Sequence, residues 1–253
     1  MSAINQGHVK SEINEKGIAT IEFGHPLSNS LPGKILNLLA KTITDVGAQH
    51  EVKVIILKSA GDRAFCAGAS FDELISIKDL ETGKQFFSGF ANVINACRKC
   101  PKLIIGRVQG KAVGGVAPAV DYCLATEHAA VKLSELAIGI GPFVVGPAVE
   151  RKIGMSAMSQ LTINATEWQS AEWAREQGLY ASIYGSVEEM DQAVDKLANQ
   201  LADSNPESMR MLKSIFWEGT EKWDNLLKVR AAMSGELFLS DFTINAINAF
   251  KKK

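Results

Sequence analysis

Three observations predict an α/β core followed by a helical region. Up to Val108, β-branched runs alternate with segments of helical periodicity. Two of those runs lead straight into loops rich in glycine and alanine. Past Gly154 the alternation gives way to four or five successive helical segments, broken by one strand-like piece at 180–184.

Each element has its own signal. IATIEF (18–23) reads as a strand that Gly24, His25 and Pro26 stop. Residues 33–46 carry Ile35, Leu38, Leu39, Thr42 and Ile43 at helical spacing. VKVIIL (52–57) is a β-branched run suited to burial on both faces between helices. A second helix is predicted over 82–99 and a third strand at LIIGRV (103–108). Ser204, Asn205 and Pro206 separate two of the later helices, Pro206 fitting a first helical turn. Apolar stripes in that region (Phe216, Trp217, Trp223, Leu227, Phe238) read as packing surface.

Composition narrows the function. In 253 residues, 27 basic side chains face 28 acidic ones, a net charge of -1 that argues against binding nucleic acid through its phosphates. No stretch approaches the ~20 apolar residues of a membrane span. The first residues have neither a basic nor an apolar leader region, and arginine is absent before Arg63, so the cytoplasm is the expected compartment. Cys97 and Cys100 have C-x-x-C spacing, but Cys66 and Cys123 stand alone and the four histidines lack ligand spacing. We expect no metal, and buried thiols at a helix end.

The two loops are the candidate site. LKSAGDRAFCAGASFD (57–72) and VQGKAVGGVAP (108–118) each follow a buried strand, and neither fits a phosphate loop or a dinucleotide fingerprint. There is no G-x-S-x-G elbow. Glycine and alanine let backbone N–H groups approach a common point, which is the chemistry of an oxyanion hole.

These residues resemble the crotonase, or enoyl-CoA hydratase/isomerase, superfamily. AFCAGA (64–69) is similar to its first signature, GKAVGG (110–115) to the start of its second, and SELAIG (134–139) with Pro142 to its third. His25, Pro26, Asn29 and Leu31 resemble its N-terminal strand exit, and Ser240, Asp241 and Phe250 its last helix. The resemblance implies a spiral of ββα units over residues 1–190 and a C-terminal helical region, 191–253, that serves a homo-trimer or hexamer. It implies an acyl-CoA thioester as substrate, so coenzyme A arrives with the substrate and no separate cofactor is expected. The implied oxyanion donors are the N–H groups of Ala69 and Gly115. Ala67, Gly68 and Gly114 would line the thioester, Phe250 and Lys253 would contact the nucleotide end, and Glu135 would be the catalytic acid/base.

The second signature departs from the pattern. Asp121 lies eleven positions after Gly110, where the family has fourteen, and the first catalytic glutamate of the hydratases is missing. Ser70 stands where an aspartate is usual. A three-residue loss would turn a following helix by about 60° and shorten it by about 4.5 Å. Asp121 is then expected to keep its place only if residues 115–118 straighten, which would weaken the oxyanion hole. A lone Glu135 can shift a double bond, removing a C2 proton and returning it at C4, more readily than it can hydrate one. Isomerase-type chemistry is therefore favoured over hydration, with thioester hydrolysis or a non-catalytic acyl-CoA-binding role as alternatives.

Overall fold

The computed structural model describes residues 6–250, without the side chain of Phe250. The chain opens with an antiparallel hairpin, β1 (His8–Ile13) and β2 (Ile18–Gly24), then α1 (Gly33–Gly47) and β3 (Val54–Ser59). A one-turn α2 (Phe71–Leu74) precedes the long α3 (Leu80–Lys99), which leads to β4 (Leu103–Val108). Next come β5 (Ala112–Val113), α4 (Val116–Ala119), β6 (Tyr122–Thr126) and β7 (Val131–Lys132). A 3-10 turn (Glu135–Ile138) leads into α5 (Gly146–Ile163), α6 (Ala171–Glu176) and β8 (Ser182–Tyr184). Four helices follow: α7 (Val187–Ala202), α8 (Pro206–Phe216), α9 (Trp223–Phe238) and α10 (Asp241–Phe250).

Six strands form one sheet in the order β1-β2-β3-β4-β6-β8, parallel after the first pair, while β5 and β7 form a small parallel sheet of their own. Strand alternation sorts the core into two layers. Ala19, Ile21, Phe23, Ile55 and Leu57 point to the layer under α1, α3, α5 and α9. Their neighbours Ile18, Val54 and Ile56 point the other way, against Met190, Val194 and Ala198 of α7. Continuous apolar runs such as VIIL are therefore buried on both faces, as a parallel strand between helices requires.

The predicted strands at 18–23 and 103–108 and the helix at 33–46 form within a residue of the expected bounds. The third helix begins at Leu80 because the Asp79 side chain caps it, accepting from the Thr82 N–H at 2.8 Å. Asn205 caps α8 through the N–H groups of Glu207 and Ser208, with Pro206 behind it. Residue 190 falls inside α7, and the cores of the sheet and of α9 are continuous through Leu227, Ala231 and Phe238. Two helices approach at a glycine pair: a Cβ on Gly235 of α9 would lie 2.8 Å from the Lys84 N of α3.

All four cysteines are free and buried, and burial pushes the thiols of Cys66 and Cys97 up to about 12. Among the described residues no group of three or more His, Cys, Asp or Glu side chains could hold a metal ion. No described helix is long and apolar enough to cross a membrane.

Candidate active site

The first loop is pinned to the chain that leaves β2, at Leu31. Gly68 takes a positive φ of 85°, its N–H reaches the Cys66 Sγ at 3.3 Å, and its carbonyl accepts from the Leu31 N–H at 2.8 Å. The Ser70 N–H returns to the Leu31 carbonyl at 3.2 Å. Between these two anchored residues the Ala69 N–H is left with no acceptor among the described residues. Ser70 starts α2 without capping it, and its buried Oγ has no partner.

The second loop is threaded against the first. Gly110 lies so close that an added Cβ would be 1.7 Å from the Arg63 carbonyl oxygen. The Phe65 N–H bonds to the Lys111 carbonyl at 3.0 Å and the Val113 N–H to the Cys66 carbonyl at 2.8 Å. Gly114 (φ 83°) sends its N–H to the Lys132 carbonyl, while the Gly115 N–H has no acceptor among the described residues.

The expected straightening of residues 115–118 does not occur. Gly115 (φ -101°, ψ 4°) instead opens α4, which is cut to the single turn Val116–Ala119 before Val120 becomes extended. A one-turn helix thus follows Gly115 directly, and the loop is turned rather than extended there. Asp121 stays fixed because three donors hold it: the Ile104 N–H at 2.8 Å, Lys213 Nζ at 2.6 Å and Trp217 Nε1 at 2.8 Å. It is a structural anchor between β4 and α8.

Both loops face a pocket of about 440 Å³. It gathers Ala67, Gly68, Ala69, Gly114 and Glu135 on its lining. Gly115 is buried just behind that lining: the Val145 side chain, itself part of the wall, stands 2.6 Å from where a Cβ on Gly115 would be. The nucleotide-end candidates lie outside the described residues, Lys253 entirely and Phe250 by its side chain.

Glu135 begins the 3-10 turn that Gly139 closes at φ 84°. The residue keeps a partly exposed edge, but its Oε2 is shut off from solvent and has no hydrogen-bond partner. Burial raises the carboxyl from 4.5 to about 7, against the opposing pull of its own N–H and that of Ser134. Among the described residues it is the single carboxylate on the pocket lining, which is otherwise mostly apolar. The turn is braced from outside by α10, where Phe242 and Thr243 fill the space beside Gly139.

Sequence reasoning did not assign other residues of the pocket lining: Phe71 and Leu74 of α2, Phe87 and Phe90 of α3, and Ser234 of α9. Phe87 and Phe90 share one helical face, a signal that reads equally well as core packing.

A spiral of parallel strands whose loops converge on one shut-in carboxylate is the crotonase fold. A crystal structure of enoyl-CoA hydratase from Bacillus halodurans superposes with a TM-score of 0.86 over 95% of this chain and 99% of that one, at 19% identity. The chain belongs to the enoyl-CoA hydratase/isomerase family, whose sequence model matches residues 13–253. Its relatives divide between two chemistries. A probable enoyl-CoA hydratase of Bacillus subtilis is 27% identical over 93% of each chain. The peroxisomal Delta(3,5)-Delta(2,4)-dienoyl-CoA isomerase of Arabidopsis thaliana is 24% identical over 83% of this chain and 80% of its own.

Proposed function

We propose that the protein moves the double bond of an enoyl-CoA thioester, with Glu135 as the acid/base that carries the proton. The observation that carries this reading is the solitary carboxylate: Glu135 is the one acid lining the pocket, and its pKa of about 7 suits both taking and returning a proton near neutrality. Glu135 removes a proton from C2 of a 3-enoyl thioester. The C–H electrons flow onto the thioester oxygen, giving a dienolate. Glu135 then returns the proton at C4 as the C2–C3 double bond forms, so no water or other reactant is consumed. Hydration would also need a water held at C3, and no second carboxylate on the lining offers to hold it.

The dienolate oxygen would be met by the N–H groups of Ala69 and Gly115, which have no acceptor among the described residues. Ala67, Gly68 and Gly114 would flank the thioester. An assay of 3-enoyl-CoA conversion to 2-enoyl-CoA, beside hydration of 2-enoyl-CoA, tests the reading. Isomerisation should dominate, and Glu135→Gln should lower it roughly 10²-fold or more with the fold retained. Faster hydration, or full activity in Glu135→Gln, overturns the assignment. Binding without turnover of either substrate would favour a non-catalytic role.

We also propose that the molecule is a trimer or a dimer of trimers. Met155, Ile163, Ile215 and Phe242 are each more than 60% exposed on the later helices, more apolar surface than a monomer of this size ordinarily leaves open. Light scattering that returned a monomer at micromolar concentration would contradict it.

A further inference from the structure

The pocket wall contains a hydroxyl that the protein leaves unpaired. Ser234, within α9, is 2% exposed and lines the pocket. A serine or threonine inside a helix commonly donates to the carbonyl four residues back. Thr44 does so to Ala40 and Thr162 to Met158 in this protein. Ser234 forms no hydrogen bond among the described residues.

The tight contact between α3 and α9 falls on the next residue, Gly235, where a Cβ would meet the Lys84 N at 2.8 Å. Ser234 instead lies on the pocket side, on a wall it shares with Leu74, Phe87 and Phe90, which carry no polar side-chain atoms. Its Oγ is not among the side-chain atoms shut off from solvent, so the hydroxyl opens on the pocket and is free to pair with an occupant there. On the acyl-CoA reading proposed above, the occupant of this pocket is the substrate's acyl chain.

We propose that Ser234 is a specificity residue that selects acyl chains bearing a neutral oxygen, a hydroxyl or keto group, over plain hydrocarbon chains of the same length. This rests on the acyl-CoA reading of the pocket. The oxygen read is neutral because one hydroxyl cannot offset the desolvation of a carboxylate in an apolar wall. Among the described residues the lining's cation is Lys132, whose Nζ donates to the Thr166 carbonyl at 2.7 Å and lies 5.5 Å from the Trp168 ring centroid. Ser234 comes from a C-terminal helix, whereas Ala69 and Glu135 come from the loops of the core, so it would read the chain without touching the reacting carbons.

The test uses the full-length protein and Ser234→Ala. Both are assayed on 3-enoyl-CoA substrates of one chain length, unsubstituted or carrying a single hydroxyl at successive positions from C5 outward. Wild type should favour one hydroxylated isomer in kcat/KM by about 10-fold over the unsubstituted chain. Ser234→Ala should erase that preference while changing the unsubstituted substrate by less than about 2-fold. An active wild type with a flat profile, or a variant that loses activity equally on every substrate, overturns the proposal. If wild type turns over none of them, the isomerase reading fails separately. Calorimetric affinities for saturated acyl-CoA and its hydroxylated analogues then decide Ser234 alone: a preference lost in Ser234→Ala supports it, and equal affinities overturn it.

Discussion

The two glycine loops solve the same problem differently. In the first, anchors on both sides of Ala69 hold the backbone so that one N–H is left over at the pocket lining. In the second, Gly114 reaches the lining but Gly115 is covered by Val145, and the helix behind it is a single turn. The first loop is held by backbone bonds to Leu31 and Lys111. The second is bonded to β7 at Lys132 and has the Val145 side chain packed on Gly115.

The largest expected effect comes from the point where the loops touch. Gly110→Ala drives a Cβ into the Arg63 carbonyl, backbone against backbone, and should cost roughly 3 kcal/mol in denaturant unfolding. A loss under about 1 kcal/mol would mean that the loops can part, and the comparison would lose its footing.

Glu135, which faces both loops, gives the next effect. Below pH 4.5 its carboxyl is protonated in folded and unfolded chains alike. As pH rises toward 7 the unfolded chain ionises first, so folding loses stability across that window and the loss is complete above about 7. At about 1.4 kcal/mol per pH unit, and allowing for the residue's partly exposed edge, Glu135→Gln should be more stable than wild type by about 2 kcal/mol at pH 8. The two should converge at pH 4. The same ionisation predicts an isomerase rate that climbs with pH and levels off above about 7. Equal stability at both pH values would mean that the carboxylate is solvated.

A smaller effect separates the two glycines of the second loop. Gly115→Ala meets Val145 at 2.6 Å and should cost about 1–2 kcal/mol, with Val145→Ala restoring much of it in the double variant. Gly114→Ala has open space around it and suffers from its φ of 83° alone, about 1 kcal/mol. If Gly114→Ala proves the costlier, the turn rather than the Val145 contact controls this loop.

Much of the core was legible because its signals are local. VKVIIL and LIIGRV could be read as buried strands, and Asn205-Pro206 as a helix start. The strand β1 was not legible: HVKSEI is an edge strand whose exposed Lys10 and Glu12 break its apolar pattern. Nor was β6, whose apolar run YCLAT follows α4 too closely to stand out. The Glu135 position could be read from its motif, but its shut-in Oε2 could not, because that depends on the fold around the 3-10 turn.

The sequence by itself determined the α/β alternation, the two glycine loops, the lone acid and the three-residue deficit, since each is a matter of neighbouring residue types. Tertiary structure alone decided what holds Asp121, because Lys213 and Trp217 lie more than ninety positions away in the chain. It also decided that Val145 covers Gly115 and that Ser234 looks into the pocket. Burial and pairing are set by whichever distant segment packs nearby, and no local pattern in the chain records that segment.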